Sequence, residues 1–447
     1  MNADVKKLFV SAASLLLGDA SGASVNHDAQ RLLTELGYVS REQPAEADAT
    51  RHRARLLQAA AQFIRIFELA APGAPALVAF GAEIDPATAD PLHRGSRPVS
   101  VSGIGLSLQD AFQGCIGEGV EYLSGLQHTD DVLIEADSTT ALAALDRPTR
   151  DLVGALMLSR GDAGLSWYPA RRLSDHCPVL LPVDLCLRRP PAAQGFAPPW
   201  PLSIGSAAGT SFEGAALHGL LELIERDAAS LWWHGGKRGR AVPSDVGAGT
   251  QALLAELRAG AAAPRRSWLL DITTDTGIPA VAALSCQPDG FGFAFGLAAR
   301  RTLPAAARSA VLEMCQGELA YAVVEAKRRE RGDAALNARD RTHLQRATTV
   351  NVDHCALLHP VSGEVEHRSI DASDPLEALQ LIVRRLAECG IESYGLDLTR
   401  PHFAIPVARI IAPGLQAEPS GIVTSRLSGM IAQTGGGASH TGGIPLI

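Results

Sequence analysis

Pairs of glutamates three residues apart recur in two apolar segments of this sequence. Glu222 and Glu225 belong to the stretch Gly205–Asp227, and Glu118 and Glu121 belong to a similar stretch about a hundred residues earlier. Since positions i and i+3 share one helix face, each pair would direct two carboxylates the same way. An isolated pair of this kind usually marks a solvated helix face. Here the flanking residues are strongly apolar and each segment follows a glycine-rich turn, predicted at Ser102–Gly105 in the earlier stretch, which favours a buried site.

A third helical segment, residues 306–320, places Glu313 and Gln316 at the same spacing. Paired carboxylates repel a polyphosphate unless a cation lies between them. Mg²⁺ is the hard cation that combines carboxylate and phosphate oxygens. The three segments therefore predict the walls of a site for a metal and a polyphosphate.

These segments resemble the nucleotide motifs of the YcaO-domain family, whose members use ATP to activate backbone amides in ribosomally made peptides. The most specific match is the AAG stretch followed by Glu222, Glu225, Arg226 and Asp227. The resemblance covers roughly residues 75–447. It includes the core phrases VLLPVDL, LLDITTDTGIPAVAAL and LDLTRPHFAIPVARIIAPGL.

The resemblance implies ATP and Mg²⁺ as cofactors, with the four glutamates at positions 118, 121, 222 and 225 as metal ligands. The nucleotide-binding positions that it implies are Ser102, Gly103, Gly105, Glu118, Glu121, Thr210, Glu213, Glu222, Glu225, Arg308, Glu313 and Gln316. Arg226 would either contact phosphate or hold a glutamate in place. The carboxylate of Ile447 would act as a proton acceptor by analogy with family members; a disordered tail is the alternative, because residues 435–443 are glycine-rich.

Several polar positions of the family motifs are altered. The positions concerned are Ile104, Gly114, Thr210, Gly214 and Ser309. Glu213 and Arg308 adjoin two of them. The changes are compatible with a shifted ligand set, a divergent subfamily or a site without ATP turnover. The retained carboxylates favour a working site.

The resemblance implies modification of a precursor peptide, and cyclodehydration of Cys, Ser or Thr to azolines is the favoured reaction. Thioamide or amidine formation is an alternative, as is a non-catalytic scaffold subunit in a modifying complex. A leader-binding E1-like protein or another partner is expected, and a homodimer stays open.

Composition limits the other classes of function. A net charge of −8 and a pI near 5.9 argue against a nucleic-acid-binding protein. The seven cysteines show no C-x-x-C spacing, which favours buried thiols in a cytoplasmic protein. The apolar segment Leu8–Leu17 is too short to span a bilayer and predicts a buried helix, so no membrane association is expected.

Short apolar runs alternate with amphipathic segments, which predicts the α/β (α+β) class. The resemblance implies a YcaO-like fold with mixed sheets and with helices that wall an ATP cleft. We expect an N-terminal helical region at residues 1–72, with helices at 4–17, 27–36 and 50–69, and a YcaO-like domain at residues 73–447. Strands are predicted at 76–84, 280–284, 291–297 and 407–412, and helices at 304–330 and 375–389. Trp232 and Trp233 should close a core. The proline-rich loop Arg188–Pro201 could border a substrate channel.

Overall fold

The computed structural model describes residues 3–18, 27–39, 47–158, 165–363, 367 and 369–447. Within them, helices and antiparallel sheets form an α+β architecture. The helices are α1 (Ala3–Leu17), α2 (His27–Glu35), α3 (Ala47–Ala60), α4 (Pro86–Ala89), α5 (Leu108–Ser124), α6 (Ser138–Ala143), α7 (Arg147–Leu158), α8 (Val183–Cys186), α9 (Phe212–Trp233), α10 (Ser244–Leu257), α11 (Leu303–Arg331), α12 (Ala338–Thr349), α13 (Pro375–Glu388), α14 (Ser425–Thr434) and α15 (Ala438–Thr441). The strands are β1 (Arg65–Glu68), β2 (Val78–Ile84), β3 (Val99–Gly105), β4 (Ile134–Glu135), β5 (Ser166–Arg172), β6 (Pro178–Pro182), β7 (Ser206–Ala208), β8 (Arg266–Asp271), β9 (Ala280–Cys286), β10 (Ala294–Ala299), β11 (Tyr394–Asp397) and β12 (Val407–Ile411).

The strands of the described residues form three sheets. Their orders are β1-β2-β3, β10-β9-β8 and β4-β5-β11-β12-β7, with β6 paired to β5. The strands β3, β7 and β10 each lie at the end of a sheet, and each leads into one of the long helices α5, α9 and α11. These are the three helices that carry the paired polar residues.

The three strand–helix units contact one another in a closed circuit. Helix α5 packs on its own strand β3 and also contacts β7; α9 packs on β7 and also contacts β10; α11 packs on β10 and also contacts β3. Each helix is therefore held between its own strand and the strand of the next unit. This arrangement turns one side of every long helix toward a common centre.

Glycines allow the strands and helices to approach closely. A Cβ atom on Gly103 would lie 2.1 Å from the backbone nitrogen of Cys115, and one on Gly296 would lie 2.1 Å from that of Met314. The glycine turn predicted at residues 102–105 is wrong, since these residues form the end of β3. The glycines at 103 and 105 serve helix packing instead of a turn.

The N-terminal helices pack on the rest of the protein. Phe9 of α1 stacks on Phe112 of α5 at 5.9 Å between ring centroids. The helix predicted at 50–69 ends at Ala60, and β1 follows and pairs with β2. Helix propensity is overridden there by strand pairing, in which the Phe67 ring covers Gly81.

The predicted helix at Leu8–Leu17 is present but is not buried all round. Phe9 and Ala12 lie in the core, whereas Val10 and Leu17 are exposed. None of the described helices combines the length and apolar character needed to cross a membrane. All seven cysteines are free, and five of them are buried, as expected from their apolar surroundings.

The C-terminal segment packs on the core, which contradicts the alternative of a disordered glycine-rich tail. Ile444 and Leu446 are buried, and the Trp233 indole donates a hydrogen bond of 2.7 Å to the Ile444 carbonyl. Arg346 of α12 donates to the Leu446 carbonyl. The glycines take up positive φ angles around α14 and α15, so they shape the turns of this segment. Trp232 and Trp233 are fully buried, which confirms the prediction that they close a core.

Candidate functional site

The first glutamate of each polar pair accepts a hydrogen bond from its own unit's strand or strand entry. The donors are backbone N–H groups, and the distances are 2.9 Å for Ser102 to Glu118, 3.0 Å for Gly205 to Glu222 and 3.3 Å for Leu297 to Glu313. Donor and acceptor are 16, 17 and 16 residues apart, respectively. The three units thus position their first carboxylates in the same way.

The second polar residue of each pair lies one helical turn further along. These residues are Glu121, Glu225 and Gln316. Glu225 is only 6% exposed. Gln316 donates a hydrogen bond of 3.1 Å from Nε2 to the Ser102 hydroxyl, which joins the third unit to the first. The polar pairs predicted from the sequence are therefore brought together.

Glu222 of α9 lies close enough to the carboxylates of α5 for its charge to raise their pKa. Burial raises the pKa of Glu121 well above its ordinary value, and the neighbouring charges of Glu222 and Glu118 raise it further. Burial also raises the pKa of Glu222. Glu118 is the most solvent-accessible of these side chains, yet the protein around it desolvates the carboxylate and raises its pKa, with Glu222 adding to the effect.

The carboxylates of α9 and α11 interact similarly. Burial, followed by the charge of Glu313, raises the pKa of Glu225 to about 8. Burial raises the pKa of Glu313, while Arg226 and Arg300 oppose the shift. Five carboxylates therefore share one cleft between the three helices, where each disfavours the ionisation of its neighbours.

Arg226 lies among these carboxylates. Its Nη2 is 3.5 Å from Glu222 Oε1, and its Nε is 3.7 Å from Glu225 Oε1. Burial opposes the charged guanidinium, but Glu225 and Glu222 outweigh it and raise the pKa of Arg226. The Nε atom is buried and has no hydrogen-bond partner among the described residues. These contacts fit the holding role considered for Arg226, and the Nε–H group keeps its hydrogen bond for a ligand.

Four further arginines influence the site carboxylates and were missed from the sequence. Arg188 and Arg409 act on Glu121, Arg300 on Glu225, and Arg339 on Glu118. They come from separate elements with no shared local motif. Of the four, only Arg409 could have been noticed in the sequence, because it interrupts the apolar run of β12.

Arg409 is 1% exposed and fixes the turn before the second unit. It donates to the carbonyls of Leu185 and Ile204 at 3.0 and 3.3 Å and to the Ser206 hydroxyl at 3.1 Å. Burial lowers its pKa to about 10. Its Nη2 has no partner among the described residues. Arg409 therefore adds a buried positive charge beside the carboxylates.

The remaining predicted positions lie at the edges of these elements. Thr210 is exposed just before α9, Glu213 is half-buried in its first turn, and Arg308 is exposed in the first turns of α11. Ile447 packs partly buried against the core. Among the described residues, none of the five carboxylates forms a hydrogen bond or ion pair with these four. Their predicted roles in binding and catalysis stay predictions.

The donor set fits Mg²⁺ and a polyphosphate. Mg²⁺ in nucleotide sites binds one or two carboxylates, phosphate oxygens and water, and does not need a cage of protein ligands. Within the described part of the chain no three acidic, His or Cys side chains form such a cage. The cleft instead offers mutually repelling carboxylates, which a cation would relieve, and unpaired guanidinium nitrogens, which suit phosphate.

Two curated relatives match part of the chain. One is an uncharacterized protein of Methanothermobacter thermautotrophicus, 29% identical over 47% of this chain and 55% of its own length. The other is an uncharacterized protein in the tfuA 3' region of Rhizobium leguminosarum bv. trifolii, 30% identical over 49% of this chain and 53% of its own length. The chain thus spans about half the length of the curated relatives it matches.

Solved structures share the fold. A heterocyclase in complex with substrate and cofactor superposes with a TM-score of 0.65, at 22% identity, over 84% of this chain and 52% of that chain. YcaO from Methanopyrus kandleri bound with AMPPCP and Mg²⁺ gives a TM-score of 0.55, at 19% identity, over 81% of this chain and 89% of that chain. These likenesses confirm the predicted fold class.

A family model described as YcaO cyclodehydratase, ATP- and Mg²⁺-binding, matches residues 102–416. The match begins at the strand residue that donates to Glu118 and includes all three glutamate-bearing helices. The predicted cofactors, ATP and Mg²⁺, are those of the matched model. The chain belongs to the YcaO family.

Proposed function

We propose that this protein uses ATP and Mg²⁺ to activate backbone amides of a ribosomally synthesised precursor peptide, and that the reaction is cyclodehydration of Cys, Ser or Thr to azolines. The observation that carries the proposal is the convergence of five carboxylates from three strand–helix units on one cleft that also holds Arg226. A cleft of this composition suits a metal–triphosphate.

The reaction needs a way to remove the amide oxygen. A neighbouring side-chain hydroxyl or thiol would lose its proton and add to the amide carbon, and the amide oxygen would accept the γ-phosphoryl group of ATP, leaving ADP. Departure of that oxygen as phosphate, together with loss of the amide N–H proton, would then give the C=N bond. ATP with Mg²⁺ supplies this phosphoryl group when bound.

The chain's own residues position and neutralise charge. Glu118, Glu121, Glu222 and Glu225 would hold Mg²⁺, and Glu313 and Gln316 would complete the nucleotide shell. Arg226 faces Glu222 and Glu225, and its Nε, which forms an ion pair with Glu225 but no hydrogen bond among the described residues, would donate to a phosphate oxygen. Catalysis of phosphoryl transfer consists mainly of such positioning and electrostatic stabilisation.

A precursor peptide and a separate leader-binding protein belong to this proposal. One structural neighbour is a microcin synthetase complex, McbBCD, solved with pro-MccB17 bound. A partner that supplied sulfide would instead favour thioamide formation, and an amine nucleophile would favour an amidine. A scaffold subunit without turnover is the non-enzymatic alternative, favoured by the altered motif positions such as Ile104 and Ser309.

The test is the mass of a precursor peptide co-expressed with the protein and its partner. Loss of about 18 Da per site, the mass of one water, supports azoline or cyclic amidine formation, and replacement of oxygen by sulfur supports thioamide formation. An unmodified peptide together with no Mg²⁺-dependent ATP hydrolysis would favour the scaffold.

We expect Glu222→Gln and Glu225→Gln to abolish modification while the protein stays folded, because each removes a hard anionic ligand without changing side-chain shape. Circular dichroism would check the fold. Glu256→Gln is the control, because Glu256 is exposed on α10 and, among the described residues, forms no hydrogen bond or ion pair with the cleft carboxylates. Wild-type modification rates in both cleft variants would refute the assignment.

A further inference from the structure

A cavity of about 780 Å³ opens between two loops beside the carboxylate cleft. One loop comprises residues 197–202 and the other residues 419–422, and Leu156 of α7 completes the apolar wall. The loops are joined by a 2.6 Å hydrogen bond from the Gly421 N–H to the Pro199 carbonyl. Four of the lining residues are prolines, which offer no backbone N–H, so the wall is apolar and poor in donors.

The charged residue that lines this cavity is Arg188. Its guanidinium lies 4.6 Å above the centre of the Tyr122 ring. Nη1 occupies the space beside Gly125, where a Cβ atom would approach it to 2.5 Å. Among the described residues no group accepts a hydrogen bond from this guanidinium. Since ring stacking uses the face of the guanidinium, its in-plane N–H donors stay available.

Two of the three glutamate-bearing helices, α5 and α9, are linked to residues that line the cavity. Tyr122, which supports Arg188, follows the proposed metal ligand Glu121 on α5. The second loop is connected to α9 through Gln416, whose N–H donates 2.9 Å to Asp227, the residue after Arg226. A chain lying in the cavity would therefore reach the carboxylate cleft past Arg188.

We infer that this cavity binds an extended, mostly apolar segment of the precursor peptide that flanks the modified residue, and that Arg188 pairs with one carboxylate of that segment. The inference rests on the proposed function. An apolar, donor-poor wall disfavours charged side chains, which would lose hydration without compensation. A single guanidinium with free donors selects one carboxylate, which it can bind with two hydrogen bonds.

Fluorescence anisotropy tests this pairing without turnover. The probes are two short fluorescein-labelled peptides of Val, Leu and Pro, one with a single Glu and the other with Gln at that place. We expect the Glu peptide to bind the full chain about tenfold or more tightly, the effect of one charge-assisted pair. Arg188→Gln should equalise the two affinities. Equal binding of both peptides to the unaltered protein, or no measurable binding of the Glu peptide, would overturn the inference.

A second pair of variants locates the site. Ala197 is exposed and lines the cavity, so Ala197→Trp should fill it and weaken binding of both peptides. Ala192→Trp is the matched control, because Ala192 is an exposed residue of the segment that leads into this loop and does not line the cavity. Equal weakening by both variants would overturn the inference.

Failure of this inference is distinguishable from failure of the proposed function. Peptides that bind as expected to a protein that modifies no precursor would leave the cavity assignment intact and refute the proposed reaction. If the Arg188→Gln and Ala197→Trp variants modified the precursor at wild-type rates, the cavity assignment would be refuted and the proposed reaction would stay intact.

Discussion

Glu225 combines deep burial with a second carboxylate, Glu313, close enough to raise its pKa to about 8. At neutral pH, without metal, this group therefore holds a proton. A cation that binds the carboxylate must displace that proton, so metal binding and proton release are coupled. The neighbouring Glu121 and Glu222 are shifted in the same direction.

This coupling predicts that Mg²⁺ binds more tightly as the pH rises toward about 8. Below the pKa of Glu225, each proton that Mg²⁺ must displace lowers the Mg²⁺ affinity about tenfold for every unit by which the pH falls. Calorimetry of Mg²⁺ with AMPPCP over a pH series measures the slope. Glu225→Gln should reduce this slope, because one proton no longer has to be displaced. An Mg²⁺ affinity independent of pH would contradict the prediction.

The same shift has a consequence for stability in the absence of metal. The folded pKa of about 8 exceeds the ordinary value of 4.5, so the native state binds more protons than the unfolded chain between these values. The contribution of Glu225 to the free energy of unfolding therefore falls as the pH rises through this window. Urea denaturation of the metal-free protein, compared with Glu225→Gln, isolates that contribution.

At the residue scale, the sequence predicts the carboxylates of the cleft but not the arginines that lie beside them. Glu118, Glu222 and Glu313 could be found because i, i+3 spacing is a local signal that a helix preserves. Arg188, Arg300 and Arg339 reach the cleft through tertiary packing. These arginines are distant along the chain from the glutamates that they approach, so the sequence alone does not predict that they are close in space.

At the scale of elements, close contact between strand and helix positions each glutamate. Gly103 of β3 faces the backbone of α5, and this approach aligns the Ser102 N–H with Glu118. A side chain at position 103 would push the helix away from the strand. The glycine therefore acts on the site through packing, without needing to touch a ligand.

Gly103→Ala should lower the free energy of unfolding by about 1–3 kcal/mol or more, since its Cβ atom would meet the backbone of α5 and no side chain could move aside. Urea denaturation is the measurement. Gly114→Ala on the same helix is the control, because its Cβ atom would have its nearest neighbour at 3.6 Å. That variant should be neutral or gain up to about 1 kcal/mol from helix propensity. Equal unfolding midpoints for the two variants would contradict this account.

Elements with a clear apolar or amphipathic pattern of their own were predicted well, whatever their length. The helices expected at 304–330 and 375–389 are α11 and α13, and the strand expected at 407–412 is β12. Strand β1 was missed because its four residues continue a helix-like pattern and are fixed only by pairing with β2. The predicted turn at 102–105 failed because glycine permits close packing as well as positive φ.

At the scale of the whole molecule, the cleft exists because three units close a circuit. Strand β7 supports α5 as well as α9, and β3 supports α11 as well as α5. A displacement of one unit would therefore move the carboxylates of another. The Gln316–Ser102 hydrogen bond lies at one of these junctions. A partner or peptide that tightened the circuit would improve the geometry of all three polar pairs together.

Each polar pair depends on the neighbouring units for its position, and several motif positions are altered. Together these features predict weak Mg–ATP binding by the isolated chain. Each lost charge-assisted hydrogen bond costs about 1.5–3 kcal/mol, so two or three losses would weaken affinity by several hundred-fold or more. Partner or precursor peptide should restore binding by organising the site beforehand. Calorimetry with and without them is the measurement.

Ser309→Arg offers the sharpest form of this test. Ser309 lies one turn before Glu313 on α11, so an arginine there should strengthen Mg–ATP binding by the isolated chain about tenfold or more. Ala305→Arg adds the same charge one turn earlier at an exposed position, and it should have little effect. Micromolar binding by the unaltered chain alone would contradict the prediction. Loss of that binding in Arg308→Ala or Glu213→Gln would then show that these neighbours have replaced the missing polar groups.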